Sequence, residues 1–145
     1  MKNKIQALGS LAVFSVILFL ASCTTNEADS PTPIDSRDKY IGTWSCAENS
    51  SKTGASTFDV RIRKNVNNNN QFLIDNFYLL GNQYSASVNV SGTSLSIAQQ
   101  SISGNTVQGS GTIQSDTKIS LTYSVNDGSG GAGAIDNCTA VLTKL

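Results

Sequence analysis

Few residues in this chain can do chemistry, and one type is missing altogether. None of the 145 residues is histidine. Without imidazole no Ser-His-Asp or Cys-His unit can form, and the usual general base is lacking. Transition metals lose their commonest ligand as well. Three cysteines are present, Cys23, Cys46 and Cys138, and two sulfurs with no histidine nearby make a poor zinc set. The carboxylates are scattered. Asp59 falls on the polar parity of an alternating stretch and reads as a solvated charge. Asp75 lies in QFLIDNF (71–77), which is apolar on both parities. If Phe72 and Ile74 point inward, Asp75 points out; if Leu73 and Phe77 do, Asp75 goes in with them. An unpaired internal carboxylate is costly, so the outward arrangement is favoured. Asp127 and Asp136 flank a glycine-rich run and could take Ca²⁺, but acids in such places usually form turns. The sequence places no two acids at one cleft, as glycoside cleavage requires. The expectation is a protein that is not an enzyme, with no cofactor and no metal.

The run Gly128-Ser129-Gly130-Gly131-Ala132-Gly133 invites a phosphate-cradle reading. Such loops open a helix and usually carry a Lys. Here the next segment alternates like a strand, and no Lys follows until Lys144. It reads as a connection between the last two strands, of the kind that can gate a cavity or press into a partner.

The elements that hold these residues begin with a leader. Lys2 and Lys4 precede a largely apolar stretch from Ile5 to Leu20, followed by the small residues Ala21 and Ser22. This is the build of a secretory signal peptide. A membrane-spanning helix needs about 20 predominantly apolar residues, and this stretch is interrupted by Gln6, Gly9, Ser10 and Ser15. Leu20-Ala21-Ser22-Cys23 resembles a bacterial lipobox. The resemblance implies cleavage after residue 22, lipidation of Cys23 and anchorage in a membrane; two or more acyl chains anchor stably where one does not. Thr24 rather than Asp after the cysteine implies, by the same resemblance, the outer membrane of the bacterial cell envelope. Residues 23–38 hold both prolines of the chain and almost no apolar side chains, so they read as a lipid-anchored flexible tether with an end-to-end distance of roughly 20 Å. Losing residues 1–22 removes two of 10 basic residues, leaving 8 against 10 acidic. No basic stripe is present, which argues against nucleic acid as a partner.

Residues 39–145 are one small domain in length. Period-2 alternation dominates, as in Phe58, Val60 and Ile62, in Tyr84, Ala86, Val88 and Val90, and in Ile119, Leu121, Tyr123 and Val125. Turn residues separate such runs at NVNNNN (65–70), SGTS (91–94), SGN (103–105) and SD (115–116). Together with GTWSC, QFLIDNF, TVQGSGTIQ and NCTAVLTKL they give about eight strands. The fold class expected is all-β: an antiparallel up-and-down barrel, with a β-sandwich as the alternative.

Trp44 and Cys46 share one strand face, and Cys138, Ala140 and Leu142 share another. An exported chain meets an oxidising compartment, so Cys46 and Cys138 are expected to pair. Such a disulfide would bring the first and last strands together and close the barrel, and would contribute about 3–5 kcal/mol. Gly42-Thr43-Trp44 on a first strand resembles the G-x-W of lipocalins and the wider calycin barrels, in which the Trp plugs one end. The partner Arg of lipocalins has no clear counterpart here; the last strand offers only Lys144. YIGTWSC, LIDNFYLLG, GSGT with ISLTYSVNDG, and NCTAVLTK resemble small uncharacterised lipoproteins of Bacteroidota-type bacteria. That resemblance implies fold and location, and no activity.

In TVQGSGTIQ, Gly109 and Gly111 share the face of Val107 and Ile113. Either they permit the bending that closure demands or they leave room inside, since a barrel of eight strands is just wide enough to fill with side chains or to hold one small ligand. The expected ligand-binding residues are Trp44, Phe58, Tyr84, Gly109, Gly111 and Tyr123. The functional expectation is a lipid-anchored calycin-like barrel that binds a small apolar ligand. The alternative is a protein-interaction module, such as an inhibitor of an exported hydrolase, with a protein partner.

Overall fold

The computed structural model describes residues 35–128 and 135–145. The leader 1–22, Cys23, the tether up to residue 34 and the glycine-rich positions 129–134 lie outside the described residues. Eight strands follow in order: β1 (Gly42–Ser50), β2 (Gly54–Lys64), β3 (Gln71–Asp75), β4 (Ser85–Ser91), β5 (Ser94–Ile102), β6 (Asn105–Ser115), β7 (Lys118–Asn126) and β8 (Ile135–Lys144). Each pairs antiparallel with the next, and β8 pairs with β1, so the sheet is a closed up-and-down barrel. The expected architecture is the one observed, and the sandwich alternative falls away.

Alternation explains the interior. Trp44 and Cys46 on β1, Val60 and Ile62 on β2, Phe72 and Ile74 on β3, and Ala86 and Val88 on β4 are buried. So are Leu95 and Ile97 on β5, Val107 and Ile113 on β6, the apolar parity of β7, and Cys138, Ala140 and Leu142 on β8. The hairpins are tight where the sequence supplies turn chemistry. Ser103 and Gly104 both take positive φ (50° and 84°) between β5 and β6, the backbone that a two-residue turn needs to match strand twist. Asp75 points outward, as expected. Its carboxylate accepts from Arg63 Nε at 2.7 Å, Arg63 Nη2 at 2.9 Å and Ser85 Oγ at 2.6 Å. These donors cover Asp75 although it lies on the outer face.

The closure does not use a disulfide. Cys46 lies opposite Leu142 on β8, and Cys138 lies opposite Ser50 on β1. An offset of four residues is roughly 13 Å along a strand, beyond the roughly 7 Å that a disulfide can bridge. Both cysteines are free and buried. The expected bond is therefore corrected: the strands meet, but their stagger separates the sulfurs, and backbone hydrogen bonds close the ring.

Trp44 plugs one end. It is fully buried, and its Nε1 donates to the Tyr40 carbonyl at 2.9 Å. That carbonyl belongs to a 3-10 turn, Asp38–Tyr40, laid across the opening. Lys144 Nζ sits 6.0 Å from the Trp44 ring centroid and donates to the Lys39 carbonyl at 2.5 Å. It supplies a cation over the indole where the sequence had shown no clear counterpart for the lipocalin Arg. The tether also ends earlier than expected. Arg37 is buried, donates from Nη1 to the carbonyls of Asn68 and Gln71, and grips the Asp35 carboxylate. Residues 35–38 therefore belong to the folded unit.

Candidate functional site

The other end of the barrel holds polar chemistry. β1 continues past Cys46 with Glu48 and Ser50 on the inward parity, and both are buried. β8 begins with Asp136 on the parity of Cys138, and Asp136 is only 1% exposed. Two carboxylates thus enter the interior, and the strands position both.

Their environments differ. Asp136 accepts from Ser50 Oγ at 2.6 Å, Ser51 Oγ at 2.9 Å, Tyr78 Oη at 2.7 Å and the Lys52 backbone N–H at 3.2 Å. Burial opposes ionisation, but this set of donors outweighs it and holds the Asp136 carboxyl down to about 2. Glu48 accepts from the Tyr123 hydroxyl. Burial is the larger effect there and pushes the Glu48 carboxyl up, and the nearby Asp136 charge adds to it. The pair therefore splits into one firmly ionised acid and one that keeps its proton more readily. Burial first, then the charge of Glu48, also pushes the thiols of Cys46 and Cys138 up to about 12, so neither is a nucleophile.

A second 3-10 turn, Phe77–Leu79, closes this end. Phe77 packs on Tyr123 with ring centroids 4.5 Å apart, and Tyr78 meets the same ring edge-on at 6.4 Å. Three non-glycine residues in and beside the turn take left-handed backbone: Asn76 (φ 60°), Tyr78 (φ 55°) and Leu79 (φ 55°). Such geometry costs about 1–2 kcal/mol per residue and persists only where surroundings enforce it. The Tyr78 bond to Asp136 and the Phe77 contact with Tyr123 are that enforcement. Beneath the turn lies a small interior space of about 10 Å³, lined by residues including Cys46, Phe58, Val60, Leu121, Tyr123 and Leu142. This is room for about one water molecule.

Of the six residues expected to bind a ligand, Phe58 and Tyr123 line this space. Trp44 sits at the opposite end. Tyr84 precedes β4 and is half-buried against the core. Gly109 and Gly111 leave no room: a Cβ at either would come within 2.4 Å of a carbonyl oxygen of β7, and within 2.5 Å of Tyr123 Cβ or Leu121 Cδ2 respectively. They permit close approach of β6 to β7, the bending reading rather than the cavity reading. Glu48 and Asp136 were missed as interior groups, although parity with Cys46 and with Cys138 marks both. Asp136 is corrected from a loop acid to an inward strand residue. The part played by Tyr78 had no comparable signal, because the strand pattern of QFLIDNF runs straight into it.

No protein-family model and no curated protein sequence matches the chain. Among solved structures, it is similar to EF1p2_mFAP2b, solved bound to DFHBI, with a TM-score of 0.54 and 16% identity over 74% of this chain and 94% of that one. It is also similar to a redesigned β-barrel, b11L5F_LGL, with a TM-score of 0.53 and 11% identity over 79% of this chain and 98% of that one. At these identities the likeness is one of fold.

Proposed function

We infer that the protein is a lipid-anchored barrel of the bacterial envelope, attached at Cys23 to the outer membrane, that binds a small, largely apolar ligand and does not catalyse a reaction. One observation carries the binding reading: a strained, non-glycine turn closes the end of the barrel that holds the residual interior space. A rigid core would have no use for such a turn. A lid that must open gains from one, because withdrawal releases backbone strain and offsets part of the lost packing. The apolar walls from Phe58, Val60, Leu121 and Leu142 then set the character of the ligand. That a barrel of similar fold was solved bound to DFHBI supports the reading. The anchor rests on the Leu20-Ala21-Ser22-Cys23 sequence alone.

Native and denaturing mass spectrometry of the full-length chain extracted from envelopes tests both parts. The denatured mass is expected to show acylation at Cys23. The native mass is expected to carry one small adduct per chain, in greater proportion in Phe77→Ala, where the plug is shortened. A bare native mass in both forms removes the binding reading, and an unmodified Cys23 removes the anchor.

A further inference from the structure

The space beneath the lid is too small for any ligand, so an entering molecule must first displace something. Backbone ladders pin the strand residues around it. Phe77 and Tyr78 are carried by the turn alone. What these two side chains occupy, and what they touch, therefore defines the site that opens when they leave. Phe77 lies against the face and edge of Tyr123, with planes inclined at 49°. Tyr78 gives its hydroxyl to Asp136 Oδ2 at 2.7 Å. On withdrawal, Asp136 keeps the hydroxyls of Ser50 and Ser51 and the Lys52 backbone N–H, and loses one donor. A buried carboxylate short of a donor is penalised unless the newcomer replaces it.

Building on the binding reading above, we propose that the ligand is a flat aromatic molecule carrying a hydroxyl or amine donor at one end. Its ring takes the place of Phe77 against Tyr123, and its donor takes the place of the Tyr78 hydroxyl on Asp136. The closed lid is thus an internal mimic of the ligand. A plain aliphatic chain fills the same apolar space but leaves Asp136 short of a partner. A carboxylate- or phosphate-bearing molecule meets like charge there, because Asp136 keeps the Ser50, Ser51 and Lys52 donors that favour its ionised form.

The test compares β-naphthol with its methyl ether, which have the same ring but differ in the donor, by fluorescence titration of the full-length chain and its Tyr78→Phe and Phe77→Ala variants. β-Naphthol is expected to bind about tenfold tighter than the ether, or better, as a hydrogen bond to a charged acceptor allows. Tyr78→Phe keeps the lid ring but removes the competing hydroxyl, so it is expected to raise affinity for β-naphthol more than for the ether. Equal affinities of the two probes in all forms overturn the donor requirement and leave apolar binding standing. Failure of both probes to bind any form, Phe77→Ala included, overturns the binding reading itself and this inference with it.

Discussion

Glu48 and Asp136 are both nearly excluded from water, at 6% and 1% exposure, yet they respond oppositely. The difference lies in the donors each meets: four for Asp136, against the Tyr123 hydroxyl for Glu48. The pH dependence follows with opposite signs. The folded-state pKa of Asp136 is depressed, so its contribution is present above the ordinary carboxyl value and is lost as pH falls to about 2. That of Glu48 is raised, so above the ordinary carboxyl value the folded chain holds a proton that the unfolded chain gives up, and stability declines there as pH rises. Glu48→Gln keeps an acceptor for Tyr123 and removes the titration. Its urea midpoint relative to the parent chain is expected to improve as pH rises above the ordinary carboxyl range; a constant difference would mean that Glu48 is not held protonated by the fold. Both acids were legible in principle. Glu48 stands two residues from Cys46, and Asp136 two from Cys138, so period 2 alone puts them inside. The strand readings stop short of both, at GTWSC for the first strand and with Asp136 read as a turn acid, and a buried carboxylate is tolerated where hydroxyls converge on it.

At the scale of elements, the eight strands could be read from alternation and turn residues, and the direction of Asp75 followed from Phe72 and Ile74. The lid could not. Phe77–Leu79 is three residues long, and nothing in their identity favours left-handed backbone; only contacts made elsewhere in the chain hold it there. Leu79 tests this directly, being 60% exposed at φ 55°. Glycine there relieves the left-handed penalty at little cost in buried area. Leu79→Gly is expected to raise stability by up to about 1 kcal/mol, measured by chemical denaturation, and to weaken uptake of β-naphthol because the closed turn no longer gains by opening. A variant that loses stability would show that the turn carries no strain.

For the whole molecule, parity told which face each cysteine takes but not how far along the barrel it sits. The stagger that closing eight strands imposes fixes that second coordinate. The result is a barrel sealed by backbone pairing, with Cys46 and Cys138 buried four residues out of step. The melting temperature is therefore expected to be the same with and without dithiothreitol. Both thiols should label with a maleimide only after denaturant is added, read by peptide mapping; a reductant-sensitive melt would restore the disulfide. The seam itself has a further effect. Because β1 is paired on both sides, neither terminal strand presents the open backbone on which foreign strands or fibrils grow. Opening this seam would mean breaking the β1–β8 ladder together with the bonds from the Leu145 N–H to the Thr43 carbonyl and from Lys144 Nζ to the Lys39 carbonyl.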